Sequence, residues 1–187
     1  MSRRISATSI AGALRRLLRN GDGSALVEFG LILPVLLLVS FGAIEFTITM
    51  FDYHRLGEAA RRGARQAIIS PPVARLETLQ AVGTITCAKS GTVSCGDATI
   101  LSSSNFDAVV TAIQEMAPAV TPENVTVTYR WSGIGDLSTP GGIKPLVTVQ
   151  LSNVTHQFTV LSIVPALDHI VLPSFSTSVV ANAYTTP

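Results

Sequence analysis

Residues 29–44 of this chain carry no charge: Phe-Gly-Leu-Ile-Leu-Pro-Val-Leu-Leu-Leu-Val-Ser-Phe-Gly-Ala-Ile. A carboxylate stands at each end, Glu28 in front and Glu45 behind, and apolar side chains resume through Phe46, Ile48, Met50 and Phe51. As a helix the uncharged run is about 24 Å long, and extension to Phe51 exceeds the roughly 30 Å hydrocarbon core of a bilayer. A membrane-spanning helix is the expected fold of this stretch. Glu45 then lies near its outer end or faces a protein partner.

A secretory signal has a short basic head, a shorter apolar run and small residues at a cleavage site behind it. Here the head exceeds twenty residues, the run is long, and Glu-Phe-Thr-Ile-Thr-Met-Phe-Asp-Tyr-His continues it in helical style. Glu28 is the more informative residue. An ionisable group at a membrane edge costs a few kcal/mol unless it snorkels or pairs, so it marks function by default. It lies four residues after Ser24, on the same helical face. A cut after Gly23 would leave an amino group on Ser24, about 6 Å from Glu28 of its own chain or within reach of a neighbour's. Small residues at Gly23 and Ser24 leave the backbone open to a protease.

Gly23 followed at this spacing by Glu28-Phe29, ahead of an apolar helix, resembles the processing site of type IV prepilins, cut on the cytoplasmic side after the Gly. The wider pattern resembles the TadE-like family of Flp/Tad pilus-assembly pseudopilins. Its matching residues are 19–29 (Arg-Asn-Gly-Asp-Gly-Ser-Ala-Leu-Val-Glu-Phe), Leu33-Pro34, Phe41-Gly42, Glu45-Phe46 and the Glu-Ala-Ala-Arg-Arg-Gly-Ala-Arg-Gln-Ala stretch from Glu58. The resemblance is close over residues 15–70 and holds only in outline beyond. It implies processing at Gly23/Ser24, pairing of Glu28 and Phe29 with neighbouring subunits, and a single pass through the bacterial inner membrane. The implied partners are a prepilin peptidase, other pilin or pseudopilin subunits, the assembly platform and membrane lipid.

Charge supports that orientation. Residues 1–23 hold Arg3, Arg4, Arg15, Arg16 and Arg19 against Asp22, so this leader carries +4 and the remainder −3. Arginines before a span keep that side in the cytoplasm, although Arg55, Arg61, Arg62 and Arg65 flank the other side. The leader reads either as a solvated basic head or as a short amphipathic helix on the membrane surface. Its basic cluster precedes a span instead of patching a folded domain, so nucleic-acid binding is not expected. Charged residues make up only 13% of the chain, well under the roughly 25% of ordinary soluble domains. Cys87 and Cys95, the only cysteines, flank Lys89-Ser90-Gly91 and read as a disulfide closing a small loop, with free thiols as the other reading. A disulfide places the C-terminal part in an oxidising compartment.

The expected organisation is a basic cytoplasmic leader (1–23), a transmembrane helix with its extension (24–70) and an extracytoplasmic head (71–187). Ser70-Pro71-Pro72 stops the helix. Ala59, Ala60, Gly63, Ala64 and Ala67 form a small-residue stripe that admits close approach, by the protein's own sheet or by another subunit. Pro34 should kink or loosen the helix. A short helix is expected between Val73 and Gly83, then the disulfide loop, then a helix from Asn105 to about Met116 capped by Ser104. Alternation marks strands at residues 125–131, 146–151, 157–161 and 175–184. Residues 163–175 read as an apolar loop. The fold class is α+β: a long N-terminal transmembrane helix continuing as the spine of a small antiparallel-sheet head, as in pilins.

Catalytic chemistry has no foothold here. His54 reads as interfacial, and His156 as pointing outward by strand parity. Asp168-His169 makes no triad, and no metal-ligand or cofactor pattern occurs. Asn124-Val-Thr and Asn153-Val-Thr match the glycosylation triplet, which is common by chance. Three classes of function remain: a TadE-like minor pilin or pseudopilin cut after Gly23, a signal-anchored extracytoplasmic binding or adhesion domain without processing, and a membrane-tethered enzyme.

Overall fold

In the computed structural model, residues 23–136, 142–163, 167–182 and 184 are described. The two readings of the basic leader, much of the turn after Trp131 and Pro165 of the apolar loop lie outside these residues. The chain divides between Phe46 and Thr47 into two compact units.

Helix α1 runs from Ser24 to Ile69 and contains Pro34. It is the one helix among the described residues that is long and apolar enough to cross a membrane, with a mean hydropathy of 2.3 in its most apolar window. Pro34 has no N–H to donate, so the helix continues through it one bond short. Ser40, the polar residue in the uncharged run, spends its hydroxyl on the Leu36 carbonyl at 2.8 Å, the usual way a helix hides a serine in apolar surroundings. Helix α1 stops where two prolines follow Ser70.

The second unit is an α+β head. Helix α2 (Leu79–Val82) is short. It closes on Gly83, whose φ of 74° suits a residue without a Cβ and whose N–H reaches the Leu79 carbonyl at 2.8 Å. Helix α3 (Ser103–Gln114) buries Phe106, Val109, Val110 and Ile113, one face at helical spacing. It starts two residues earlier than expected and Ser102, not Ser104, precedes it.

Five strands form one antiparallel sheet in the order β2-β1-β3-β4-β7. They are β1 (Thr84–Ser90), β2 (Thr92–Ser94), β3 (Val125–Arg130), β4 (Leu146–Leu151) and β7 (Phe175–Val180). Two three-residue strands, β5 (Thr155–Gln157) and β6 (His169–Val171), pair separately. Strand periodicity sorts the side chains. Ile85 and Cys87, Val125, Val127 and Tyr129, and Val147, Val149 and Leu151 turn inward and are buried. Outward, the register aligns Thr86, Thr128, Thr148 and Ser178 across four strands.

The inner sheet face packs on the head portion of α1. Leu56, Ala59, Ala60, Ala64 and Ala67 are all buried, and a Cβ on Gly63 would meet Ile113 of α3 and Val149 of β4. The small-residue stripe therefore serves the protein's own core. Two tyrosines tie the helix-distal end together. Val73 donates its N–H to the Tyr129 hydroxyl at 3.1 Å, and Tyr184 donates its hydroxyl to the Ala67 carbonyl at 2.9 Å. Burial pushes the Tyr129 phenol up to about 12, against a smaller opposing effect of the Val73 N–H. Burial, and then the neighbouring Tyr129, also push Tyr184 well above the ordinary phenol range.

Several expectations are corrected. Thr84–Ser90 is an interior strand of the sheet, not merely part of a disulfide loop. The strand expected at 157–161 is shifted to Thr155–Gln157, and Leu161–Ile163 is a 3-10 turn. His169–Val171 forms a strand inside the segment read as a loop. The last strand ends at Val180, short of the expected Tyr184, although Ala181 still bonds the Pro145 carbonyl and Tyr184 bridges to Ile143.

Candidate functional site

The residues singled out for processing stand at the start of α1. The α-helix begins at Ser24, and Gly23 directly before it is in a 3-10 turn. Gly23, Ser24, Glu28 and Phe29 are all exposed. Glu28 follows Ser24 by one turn and makes no ion pair among the described residues. An exposed carboxylate at the head of an apolar helix is expensive in lipid and directional in assembly: it needs a cation brought from elsewhere.

Glu45 differs. It is only 8% exposed, as is Thr49 one turn later, although Ile44, Phe46 and Ile48 around them are open. Glu45 and Thr49 are four residues apart, on one helical face, while Thr47 between them is exposed. The two acidic residues that bracket the uncharged run differ in exposure: Glu28 is exposed and Glu45 is buried.

At the end of the apolar run, Asp52 accepts a hydrogen bond from His156 Nδ1 at 2.9 Å. His156 is largely covered, so the outward orientation expected from strand parity is wrong. The residue lies on β5, whose partner face is the helix and not solvent. The next residue, Tyr53, meets Phe175 edge-to-face at 4.8 Å between ring centres, and His54 lies edge-on to Tyr53 at 5.7 Å. The Arg55 guanidinium stands 5.5 Å from the centre of the Phe51 ring. Further along, Arg61 pairs with Glu58 at 2.7 Å and Arg62 with Glu115, while Arg65 is exposed. These pairs are open to solvent and each contributes little, about 0–1 kcal/mol.

Cys87 and Cys95 form a disulfide. They sit one step beyond the Ala88↔Ser94 pair of the β1–β2 hairpin, and both are buried. The bond thus closes an edge hairpin into the core. Asn124 spends its side-chain amide on the Ser152 and Asn153 carbonyls at 3.0 and 2.9 Å. Asp168 and His169 bond each other at 2.6 Å on the surface, and among the described residues no third group is aligned with them. Among the described residues no group of three His, Cys, Asp or Glu could hold a metal ion.

The Asp52–His156 pair was missed by the sequence reading, since only the fold brings residues so far apart into register. The comparisons bear on the other end of the chain. No curated protein and no solved structure matches it. One family model does, and its match stops before the first strand of the head, so it bears on the helix that carries Gly23, Ser24, Glu28 and Glu45. Over residues 23–65 the chain matches the model of the family described as TadE-like protein.

Proposed function

We propose that this protein is a TadE-like minor pilin or pseudopilin of a Flp/Tad pilus assembly or secretion system, cut after Gly23 by a prepilin peptidase. It is a structural subunit and not an enzyme. The observation that carries the reading is the coincidence of three features: a family match beginning at residue 23, a helix beginning at Ser24, and an exposed Glu28 one turn along. The helix crosses the inner membrane once. The arginine-rich leader stays cytoplasmic, and the Cys87–Cys95 bond belongs to a head in the oxidising compartment outside.

Mechanistically, cleavage converts Ser24 from a mid-chain residue into a cation at the head of the apolar helix. Glu28 of a neighbouring subunit receives that cation. In a medium that excludes water the two charges attract far more strongly than in solution, so the pair fixes the axial stagger between adjacent helices. Phe29 and the following leucines supply apolar contact without register of their own. Removing one charge leaves the other buried alone, which is strongly unfavourable.

Glu28→Ala tests this directly. The variant should insert and be cut after Gly23 as the wild type is, since neither the apolar run nor the scissile bond changes. It should then fail to co-purify or crosslink with its partner subunits at equal expression. Undiminished association and normal pilus assembly would reduce Glu28 to a residue of a plain anchor.

A further inference from the structure

The β5–β6 hairpin is attached to α1 in a definite direction. Val154 and Leu172 line a small cavity with Leu56, and Asp52 and His156 line it too. Leu56 and Asp52 are about one helical turn apart, close to the rise of two strand residues from Val154 to His156. Val154 is buried in the head's core and His156 reaches Asp52, so β5 leads from the core to the turn of the helix that follows residues 47–51. The hairpin is closed at both levels: Leu172 donates to the Val154 carbonyl at 2.8 Å, and Phe158 to the Asp168 carbonyl at 2.9 Å.

The hairpin's surface mixes apolar side chains with the exposed Thr155, Gln157, Asp168 and His169. Leu167 is 47% exposed, Ile170 44% and Val171 54%. Ile170 and Val171 point to opposite faces, so no single contact with the head's own core covers both. At the same end of this unit, Ile48, Met50 and Phe51 of the helix are exposed as well.

We infer that the β5–β6 hairpin is a second membrane contact, seated in the headgroup region of the leaflet that receives the outer end of α1. This rests on the spanning reading of α1 given above. Three observations select a bilayer as the occupant. The patch belongs to the same unit as the exposed Ile48, Met50 and Phe51. The next turn presents Tyr53, His54 and Arg55, and aromatic and cationic residues of this kind sit at headgroup depth with their apolar stems below. Two three-residue strands also fall short of the ~800 Å² per partner of a standard protein interface, whereas an interfacial element needs only a shallow apolar face.

The test uses the full-length wild-type chain in vesicles of phosphatidylethanolamine and phosphatidylglycerol containing a phospholipid with a diazirine in its acyl chain near the headgroup. After illumination the adducts are mapped by peptide mass spectrometry. Adducts are expected on residues 29–51 and on residues 167–171, but not around Trp131 and Ile134, which are exposed to a similar degree at the other end of the sheet. A Leu167→Glu/Ile170→Glu variant should lose hairpin labelling several-fold and keep that of residues 29–51. Labelling confined to residues 29–51 in the wild type overturns the hairpin contact and leaves the span standing, and occupation of the hairpin by a second copy of the chain would give this same result. Absence of labelling on residues 29–51 overturns the spanning reading itself.

Discussion

Ile113 on α3 occupies the space a side chain on Gly63 would need: a Cβ there would lie 2.7 Å from two of its atoms. Val149 closes the same space from β4 at 3.4 Å. Helix, second helix and sheet thus meet at one residue without a side chain, and this contact sets how closely the head packs on its spine.

Gly63→Ala tests the contact. Alanine gains about 1 kcal/mol of helix propensity over glycine, while overpacking a filled core costs about 1–3 kcal/mol. Ile113 is fully buried, so it can shift only at the expense of its other core contacts; the clash should win and thermal melting in detergent should fall. Repeating the substitution in an Ile113→Ala background should shrink or reverse its cost. An unchanged penalty in that background would place the strain elsewhere.

Cys95→Ser should lower the melting temperature without abolishing the fold. A loop this short contributes about 2–3 kcal/mol through restriction of the unfolded chain, and the five-stranded sheet survives its loss. Non-reducing peptide mapping of protein isolated with an alkylating agent should return Cys87 and Cys95 as one linked peptide. Two alkylated thiols would contradict both the bond and the orientation drawn from it.

The buried Tyr129 predicts an alkaline limit. Its folded pKa is raised from 10.0 to about 12, so the folded state holds a proton the unfolded chain releases. That contribution is complete below pH 10, declines as pH rises through the window from 10 to about 12, and is gone above it. Tyr184 is shifted in the same direction. Stability of the head should therefore fall over this range. Tyr129→Phe should flatten the fall and be less stable at neutral pH by about 1–3 kcal/mol, because the buried Val73 N–H loses its acceptor. A variant with the wild-type alkaline profile would remove Tyr129 from this account.

Much of this was legible locally. The uncharged run, the small-residue stripe from Ala59 to Ala67, and the alternation of Val125, Val127 and Tyr129 each declare an environment through their own spacing. What was missed depends on distant partners. Thr84–Ser90 reads as loop because its inward side chains include Cys87, whose companion lies across the hairpin. His156 cannot be oriented from parity, since the carboxylate it faces, Asp52, sits on a helix a hundred residues earlier. Leu167, Ile170 and Val171 belong to a stretch read only as an apolar loop, and only the fold shows a strand there with these side chains turned outward.

Processing is the claim on which the rest depends, and the mass of the mature N-terminus measures it most directly. Protein purified from the membranes of its producing cell should yield an N-terminal peptide beginning at Ser24, and Gly23→Val, whose branched side chain obstructs the protease, should leave full-length precursor in the membrane. A wild-type protein that retains its leader or begins at another residue, or a Gly23→Val variant that matures normally, would contradict the pilin account.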